Sequence, residues 1–303
     1  MYMNLQQFRG TGVAIVTPFL KGAVDYKSLE KIIDHIIEGG VNYIVALGST
    51  GESVMLTRKE TNAVLAFIVK KTNKRVPVVA GHFGGNSTNH LIERVKEADL
   101  TGVAAIMSSS PSYVKPTQEG IYRHYMALAE VSPLPIILYN VPGRTSSNMK
   151  PATILRLANA DSKFIAIKDA TGDILQSIAI IRDKPDNLLV LSGDDPTAMA
   201  HVLAGGDGVI SVVANAIPRS FTNMINATMA GEVKKARKLN DLIHNLHHWM
   251  YVEGNPTGVK AALSFQNLCT KEVRLPLVPL TKDRYGGMAK ELEQFLLTVH
   301  KAG

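Results

Sequence analysis

Lys168 closes the apolar run Phe164-Ile165-Ala166-Ile167 and opens a polar stretch, Asp169-Ala170-Thr171-Gly172. An ammonium at the end of a buried segment is costly to keep charged, and a desolvated neutral amine is the nucleophile that forms a Schiff base with a ketone. An ion pair with Asp169 or Asp194 is the competing reading, and position alone leaves both open. Tyr139 ends a second apolar run, Ile136-Ile137-Leu138, where a phenol can pass a proton or serve as an ordinary half-buried aromatic. Ser49 lies in Gly48-Ser49-Thr50-Gly51, whose glycines allow backbone N–H groups to approach a carboxylate or simply make a turn. Arg144, after Pro142-Gly143, has the fork to grip a carboxylate in bidentate fashion, with a surface salt bridge as the alternative.

These residues need a scaffold that brings strand ends together. Short β-branched apolar runs recur at Val13–Phe19, Tyr43–Gly48, Val78–Gly81, Val103–Met107, Ile136–Val141, Phe164–Lys168, Leu188–Ser192 and Gly208–Val213. Helical spacing of apolar residues separates them, as in Leu29, Ile32, Ile33, Ile36 and Ile37, and in Val64, Leu65, Ile68 and Val69. Continuous apolar strands are expected when both faces of a parallel sheet are covered. About eight such units predict an α/β fold: an eight-stranded parallel βα barrel, whose working residues project from the carboxy-terminal strand ends. An open doubly wound sheet normally carries a glycine-rich phosphate loop after its first strand, and here that place reads Thr17-Pro18-Phe19.

Beyond about Arg219 the pattern becomes helical only, at Phe221–Met229, Val233–Tyr251, Gly258–Asn267 and Met288–His300. The chain therefore divides into a catalytic barrel over residues 1–230 and a carboxy-terminal helical extension over 231–303. Leu275-Pro276-Leu277-Val278-Pro279 reads as an extended connector, because each proline turns its predecessor away from helix.

The 303 residues are 46% hydrophobic and 19% charged, enough for a large core. The formal charge of +7 is spread among acidic residues, and its densest cluster, Lys234, Lys235, Arg237 and Lys238, sits beside Glu232 on a polar helix. That is the pattern of a solvated face, so no nucleic-acid partner is expected. The opening MYMNLQQFRG lacks the apolar stretch of a secretory signal, and no run has the length of a membrane span, so no membrane partner and a cytoplasmic location are expected. Cys269 is the single cysteine, so no intrachain disulfide forms, and no cluster of His, Asp and Glu asks for a metal.

Taken together, Gly48-Ser49-Thr50-Gly51-Glu52, Tyr139-Asn140-Val141-Pro142-Gly143-Arg144-Thr145, Ile167-Lys168-Asp169-Ala170-Thr171-Gly172 and Ser192-Gly193-Asp194-Asp195 resemble the signatures of the dihydrodipicolinate synthase family. The resemblance extends from about Gly12 to Leu280, including Gly254-Asn255-Pro256 and Arg274-Leu275-Pro276. It implies a class I aldolase in which pyruvate condenses with Lys168 and the enamine attacks L-aspartate 4-semialdehyde, giving 4-hydroxy-tetrahydrodipicolinate in lysine biosynthesis without a cofactor. It further implies that Ser49, Tyr139 and Tyr113 relay protons and that the amides of Ser49 and Thr50 hold the pyruvate carboxylate. Arg144 would orient the semialdehyde, and Gly193 and Ile210 would line the pocket. By the same resemblance Tyr113 reaches a neighbouring subunit across a tight dimer within a homotetramer, a dimer of dimers.

Two positions depart from the family pattern. Ser49 stands where threonine is usual, keeping the hydroxyl but losing the methyl that restricts its rotamer. Ser112 stands where a second tyrosine often precedes Tyr113. Lysine-sensitive relatives use a histidine, a glutamate and that tyrosine to bind lysine at the dimer interface, and here those places carry Arg58, His90 and Ser112. One extra residue in His82-Phe83-Gly84-Gly85 leaves Glu93 as an alternative to His90. Within the superfamily, N-acetylneuraminate lyase and 2-keto-3-deoxy sugar acid aldolases would share Lys168 and Tyr139, and Arg144 discriminates against them because a sugar acceptor favours neutral groups. A catalytically silent barrel acting as a binding protein would be expected to have lost the lysine or its partners.

Overall fold

The computed structural model describes residues 5–302, so residues 1–4 of the expected barrel unit and residue 303 of the extension lie outside the described residues. β1 (Gly10–Ala14) is followed by a small antiparallel ribbon of β2 (Phe19–Leu20) and β3 (Ala23–Val24). Seven further strands follow: β4 (Tyr43–Ala46), β5 (Val78–Phe83), β6 (Ala105–Ser109), β7 (Ile136–Asn140), β8 (Phe164–Asp169), β9 (Leu189–Ser192) and β10 (Gly208–Ser211). Excluding the ribbon, these eight strands run parallel in the order β1-β10-β9-β8-β7-β6-β5-β4, and pairing of β1 with β4 closes the barrel. The eight-stranded parallel βα barrel expected from the apolar runs is the fold of this chain.

Helices alternate with the strands: α1 (Tyr26–Glu38), α2 (Arg58–Thr72), α3 (Thr88–Glu97), α4 (Gln118–Val131), the single turn α5 (Pro142–Thr145), α6 (Pro151–Ala160), α7 (Ile174–Asp183), α8 (Ala198–Leu203) and α9 (Pro218–Met229). The extension adds α10 (Val233–Tyr251), α11 (Thr257–Phe265) and α12 (Lys282–Ala302). Local chemistry sets several boundaries. Asp25 caps α1 by accepting from the Ser28 amide, and Thr57 with Glu60 forms a reciprocal capping box on α2. Along α1 the buried residues are Leu29, Ile32, Ile33 and Ile36, the spacing that turns one face toward the sheet.

Alternation along the strands separates two cores. Tyr43, Val45, Val79, Ala105, Met107, Ile137, Tyr139, Ala166, Leu189, Leu191 and Ile210 fill the barrel. Ile44, Ala46, Val78, Ile106, Ile136, Leu138, Ile167 and Val190 face the helices, in a cluster that continues through Ile243, Leu246, Val259 and Leu292 of the extension. Phe8, just before β1, packs edge-on to Tyr43 with ring centroids 5.7 Å apart and plugs the amino-terminal end. Burying a ring of that size contributes about 2–3 kcal/mol. No helix among the described residues is long and apolar enough to cross a membrane.

Several boundaries differ from the sequence reading by a few residues, two of them at a glycine packed against an aromatic ring. β1 begins at Gly10 and ends at Ala14, earlier than the expected Val13–Phe19. Glycine normally weakens a strand, but a Cβ at Gly12 would lie 2.3 Å from the Tyr43 ring, so this strand needs its glycine to let an aromatic fill the barrel. Similarly, α12 starts at Lys282 instead of near Met288. It passes through Gly287, where a Cβ would lie 2.3 Å from the Trp249 ring of α10.

Candidate active site

Tyr139 and Lys168 are direct partners in the parallel register of β7 and β8. Lys168 shares its strand face with Ala166, which lies in the inner barrel cluster, and so points inward as Tyr139 does. Its amine lies 4.5 Å from the centroid of the Tyr139 ring, and the side chain is 5% exposed. Gly193, after β9, makes room for it: a Cβ there would sit 3.0 Å from Lys168 Cε. The two carboxylates nearest to the amine in the sequence reading, Asp169 and Asp194, are occupied elsewhere. Asp169 accepts from Ser177 Oγ at 2.8 Å and the Thr171 amide at 3.3 Å, while Asp194 accepts from Thr197 Oγ1 at 2.7 Å. Burial also pushes the Asp169 carboxyl above the usual carboxylate range, against those hydrogen bonds. Among the described residues Lys168 therefore has no ion-pair partner.

After β4 the chain makes one tight turn at Ser49–Gly51 and enters the left-handed region at Glu52, with φ 55°. Thr17 Oγ1 donates to Gly51 O at 2.7 Å and anchors the turn to the loop after β1. Asn255 Nδ2 donates to Thr50 Oγ1 at 2.9 Å, and the backbone oxygen of Asn255 accepts from Arg144 Nη2 at 3.3 Å. Asn255 thus bridges the second and fifth barrel loops from the extension. Its own Oδ1 is buried without a partner among the described residues.

The Glu52 side chain points away from this mouth into a fully buried ion pair with Lys260 of α11, both side chains being 0% exposed. Glu52 Oε2 also accepts from the Arg274 amide at 2.9 Å. Lys260 donates to Glu272 O at 2.9 Å and sits 4.1 Å from the Phe19 ring centroid. Removing one partner of such a pair leaves an unpaired buried charge at a cost of about 3–5 kcal/mol, whereas replacing both by apolar groups is often neutral. On the opposite rim, Asp195 accepts from the amides of Val212 and Val213 at 2.9 and 3.1 Å and from Tyr251 Oη at 2.6 Å. Burial, reinforced by Asp195, pushes Tyr251 well above the ordinary phenol value, which keeps it a donor.

A cavity of about 730 Å³ opens at this end of the barrel, with Ser49, Ser109, Tyr139, Arg144 and Asn255 on its wall. Of the candidate catalytic and substrate-binding residues, Ser49, Tyr139 and Arg144 meet there. Thr50, Lys168, Gly193 and Ile210 lie behind the wall: Thr50 against Asn255, Lys168 against Tyr139, Gly193 against Lys168, and Ile210 within the inner cluster. Tyr113 is not gathered into the cavity by its own chain, being 85% exposed with its amide bonded to Thr145 O at 3.2 Å. Asn255 and the Glu52–Lys260 pair were given no role by the sequence reading. Glu52 appears there only as the last residue of the Gly48–Glu52 signature, and Asn255 only within Gly254-Asn255-Pro256.

The chain matches the Dihydrodipicolinate synthetase family over residues 7–295. A protein of Flavobacterium psychrophilum named 4-hydroxy-tetrahydrodipicolinate synthase is 46% identical over 280 residues, 92% of this chain and 95% of that protein. One of the same name from Neisseria meningitidis serogroup C is 44% identical over 283 residues, 93% of this chain and 96% of its own. The structure of the chloride-inhibited dihydrodipicolinate synthase of Acinetobacter baumannii complexed with pyruvate superposes with a TM-score of 0.91 at 44% identity, covering 95% of this chain and 98% of that one. A monomeric dihydrodipicolinate synthase variant superposes with a TM-score of 0.93 at 35% identity, covering 96% and 98%. By these matches in sequence and in fold, over nearly the whole of its length, the chain belongs to the dihydrodipicolinate synthetase family.

Proposed function

We propose that this chain is a lyase that condenses pyruvate with L-aspartate 4-semialdehyde through a Schiff base on Lys168, yielding 4-hydroxy-tetrahydrodipicolinate for lysine biosynthesis by way of diaminopimelate. One observation carries the reading: Lys168 faces the barrel interior at its carboxy-terminal end, without a carboxylate partner among the described residues, against a tyrosine that lines the cavity.

The Lys168 amine adds to the keto carbon of pyruvate, and the carbinolamine loses water to an iminium. Loss of a proton from the methyl carbon gives the enamine, whose electron pair is stored on nitrogen until it attacks the aldehyde carbon. The aldehyde oxygen takes up a proton, and the amino group of the acceptor then displaces Lys168 as the ring closes. Tyr139, Ser49 and Tyr113 relay these protons. The amides of Ser49 and Thr50 hold the pyruvate carboxylate, and Gly193 and Ile210 shape the space around the adduct. Arg144 on the cavity wall takes the second carboxylate, a contact that favours the amino-acid aldehyde over a neutral sugar. Charge is stored on the iminium, so the route requires no metal.

In this reading residues 1–230 carry the nucleophile and the relay, and residues 231–303 close the site through Asn255. The active form is a cytoplasmic homotetramer in which Tyr113 enters the neighbouring subunit's cavity. Borohydride reduction with pyruvate, peptide mapping and an assay with aspartate semialdehyde test the proposal. The expected result is one stable adduct at Lys168 together with turnover. An adduct on another lysine, or turnover with sugar aldehydes alone, would overturn it.

A further inference from the structure

We propose that Glu52 and Lys260 are positioning residues for the keto acid: their buried pair sets the angle of the Ser49–Thr50 amides and so the enzyme's affinity for the pyruvate carboxylate. The inference rests on the reading that those amides hold that carboxylate.

The turn at Ser49–Gly51 closes on two backbone bonds, Gly51 N to Gly48 O at 3.0 Å and Glu52 N to Ser49 O at 3.1 Å, and Thr17 Oγ1 ties Gly51 O to the loop after β1. It ends on a non-glycine residue in the left-handed region, a conformation that persists only where the surroundings enforce it. Here the enforcement comes from the side chain. One carboxylate oxygen of Glu52 accepts from Lys260 Nζ and the other from the Arg274 amide at 2.9 Å. Lys260 in turn is held by Glu272 O at 2.9 Å and by the Phe19 ring. Five residues before Lys260, Asn255 grips the middle of the turn at Thr50 Oγ1. The amide-bearing turn is thereby held at its middle and at its carboxy-terminal end by one short stretch of the extension.

Apolar side chains would fill this space without the desolvation that two buried charges incur. What they would not supply is direction. A carboxylate with each oxygen assigned to a separate donor fixes the orientation of Glu52, and through its backbone the preceding amides. Burial pulls the Lys260 ammonium below the usual lysine range, and the Glu52 carboxylate beside it opposes that shift.

The test compares the unmodified enzyme with the double variant Glu52→Gln plus Lys260→Met, and with Glu52→Asp alone, which leaves no buried charge without a counter-charge, shortens only the arm that orients the turn, and carries the test should the double variant not fold. Borohydride trapping at Lys168 is titrated with pyruvate and, separately, with acetone, which offers the ketone without the carboxylate. The KM for the semialdehyde and the thermal midpoint are measured alongside. The expected outcome is a rise of about tenfold or more in half-saturating pyruvate, with acetone trapping and the semialdehyde KM within about twofold, since small misplacements of a binding group have effects of this order. Unchanged pyruvate saturation in a folded variant would sink the inference while leaving the Schiff-base reading intact, as would an equal loss for pyruvate and acetone. Trapping away from Lys168 in the unmodified enzyme would overturn that reading and the inference with it.

Discussion

The Lys168 amine rests over the face of the Tyr139 ring, 4.5 Å from its centroid, with the two residues paired across adjacent strands. That contact places the phenol ring beside the amine on which the proposed carbinolamine forms and loses water. Tyr139→Phe keeps the ring and removes the proton carrier, so kcat is expected to fall by about 10² to 10⁴. The adduct at Lys168 should still form, more slowly. A fall of less than about threefold in single-turnover assays would remove Tyr139 from the relay.

Arg144 makes one bond to the backbone of Asn255 and otherwise lies open on the cavity wall. Its loss should therefore spare folding and the first half-reaction. Arg144→Ala is expected to give normal pyruvate trapping with a KM for the semialdehyde raised about tenfold or more, because a charge-assisted bidentate contact disappears. Equal loss of both half-reactions would assign Arg144 to holding Asn255 in place.

Tyr113 has a left-handed backbone, φ 69°, and projects away from its own cavity, 85% exposed beside Val114. A relay that needs this phenol must draw it from another copy of the chain. Mixing Tyr113→Phe with Lys168→Ala subunits should restore activity in hybrids, since one site of each mixed dimer is intact. No recovery despite demonstrated subunit exchange would restrict Tyr113 to its own chain.

The legibility of this site followed the range of its contacts. Lys168 and Tyr139 each end a continuous apolar strand, and a barrel sends such residues to one mouth, so periodicity alone brought them together. The Gly48–Glu52 turn was visible in its glycines, but the groups that hold it lie more than 200 residues away in the chain. Within Thr257-Gly258-Val259-Lys260-Ala261-Ala262 the lysine reads as a polar point on an amphipathic helix, and only tertiary packing reveals that it is fully buried. β1 was displaced for the opposite reason: the strand signal at Gly10–Ala14 is weak because Tyr43 occupies the space that its side chains would need.

Acid should weaken the fold above the range where most carboxylates titrate. Burial pulls His201 and His124 down to about 4 and His82 to about 3, so all three are neutral in the native protein at pH 5 to 6. Neither ring nitrogen of His201 has a partner among the described residues. Because the folded value lies below the unfolded 6.5, this contribution is fully present above pH 6.5 and is lost as pH falls toward 4, at about 1.4 kcal/mol per pH unit for each histidine. His201→Leu should lower the dependence of unfolding free energy on pH by about one proton between pH 6.5 and 4.5. Urea midpoints at several pH values measure this, and an unchanged slope would mean that His201 is protonated in the native state.

Lysine, the end product of the proposed route, should inhibit weakly. The cavity continues past Ser49 to Arg58, His82, Asn86, Arg94, Glu97 and Ser112, and its only acid there, among the described residues, is Glu97. Glu97 is already bonded to Arg58 at 2.6 Å. Arg94 adds a second cation, bonded to the backbone oxygens of His82 and Gly84. Burial, with Arg94 nearby, keeps His82 neutral, and Ser112, whose hydroxyl is taken by Asn86, offers no aromatic wall. Glu93, the alternative acid, is exposed and off this wall, as is His90. An incoming ammonium must therefore displace Arg58 from Glu97 while facing Arg94, exchanging one ion pair for another with no net gain. Titration with L-lysine should leave activity within about 20% up to roughly 1 mM, where a binding free energy of about −4 kcal/mol would give half-saturation. Arg58→Ala, which frees Glu97, should increase sensitivity. Half-inhibition of the unmodified enzyme well below 1 mM, or no effect of Arg58→Ala on the titration, would show that the Arg58–Glu97 pair does not govern this end of the cavity.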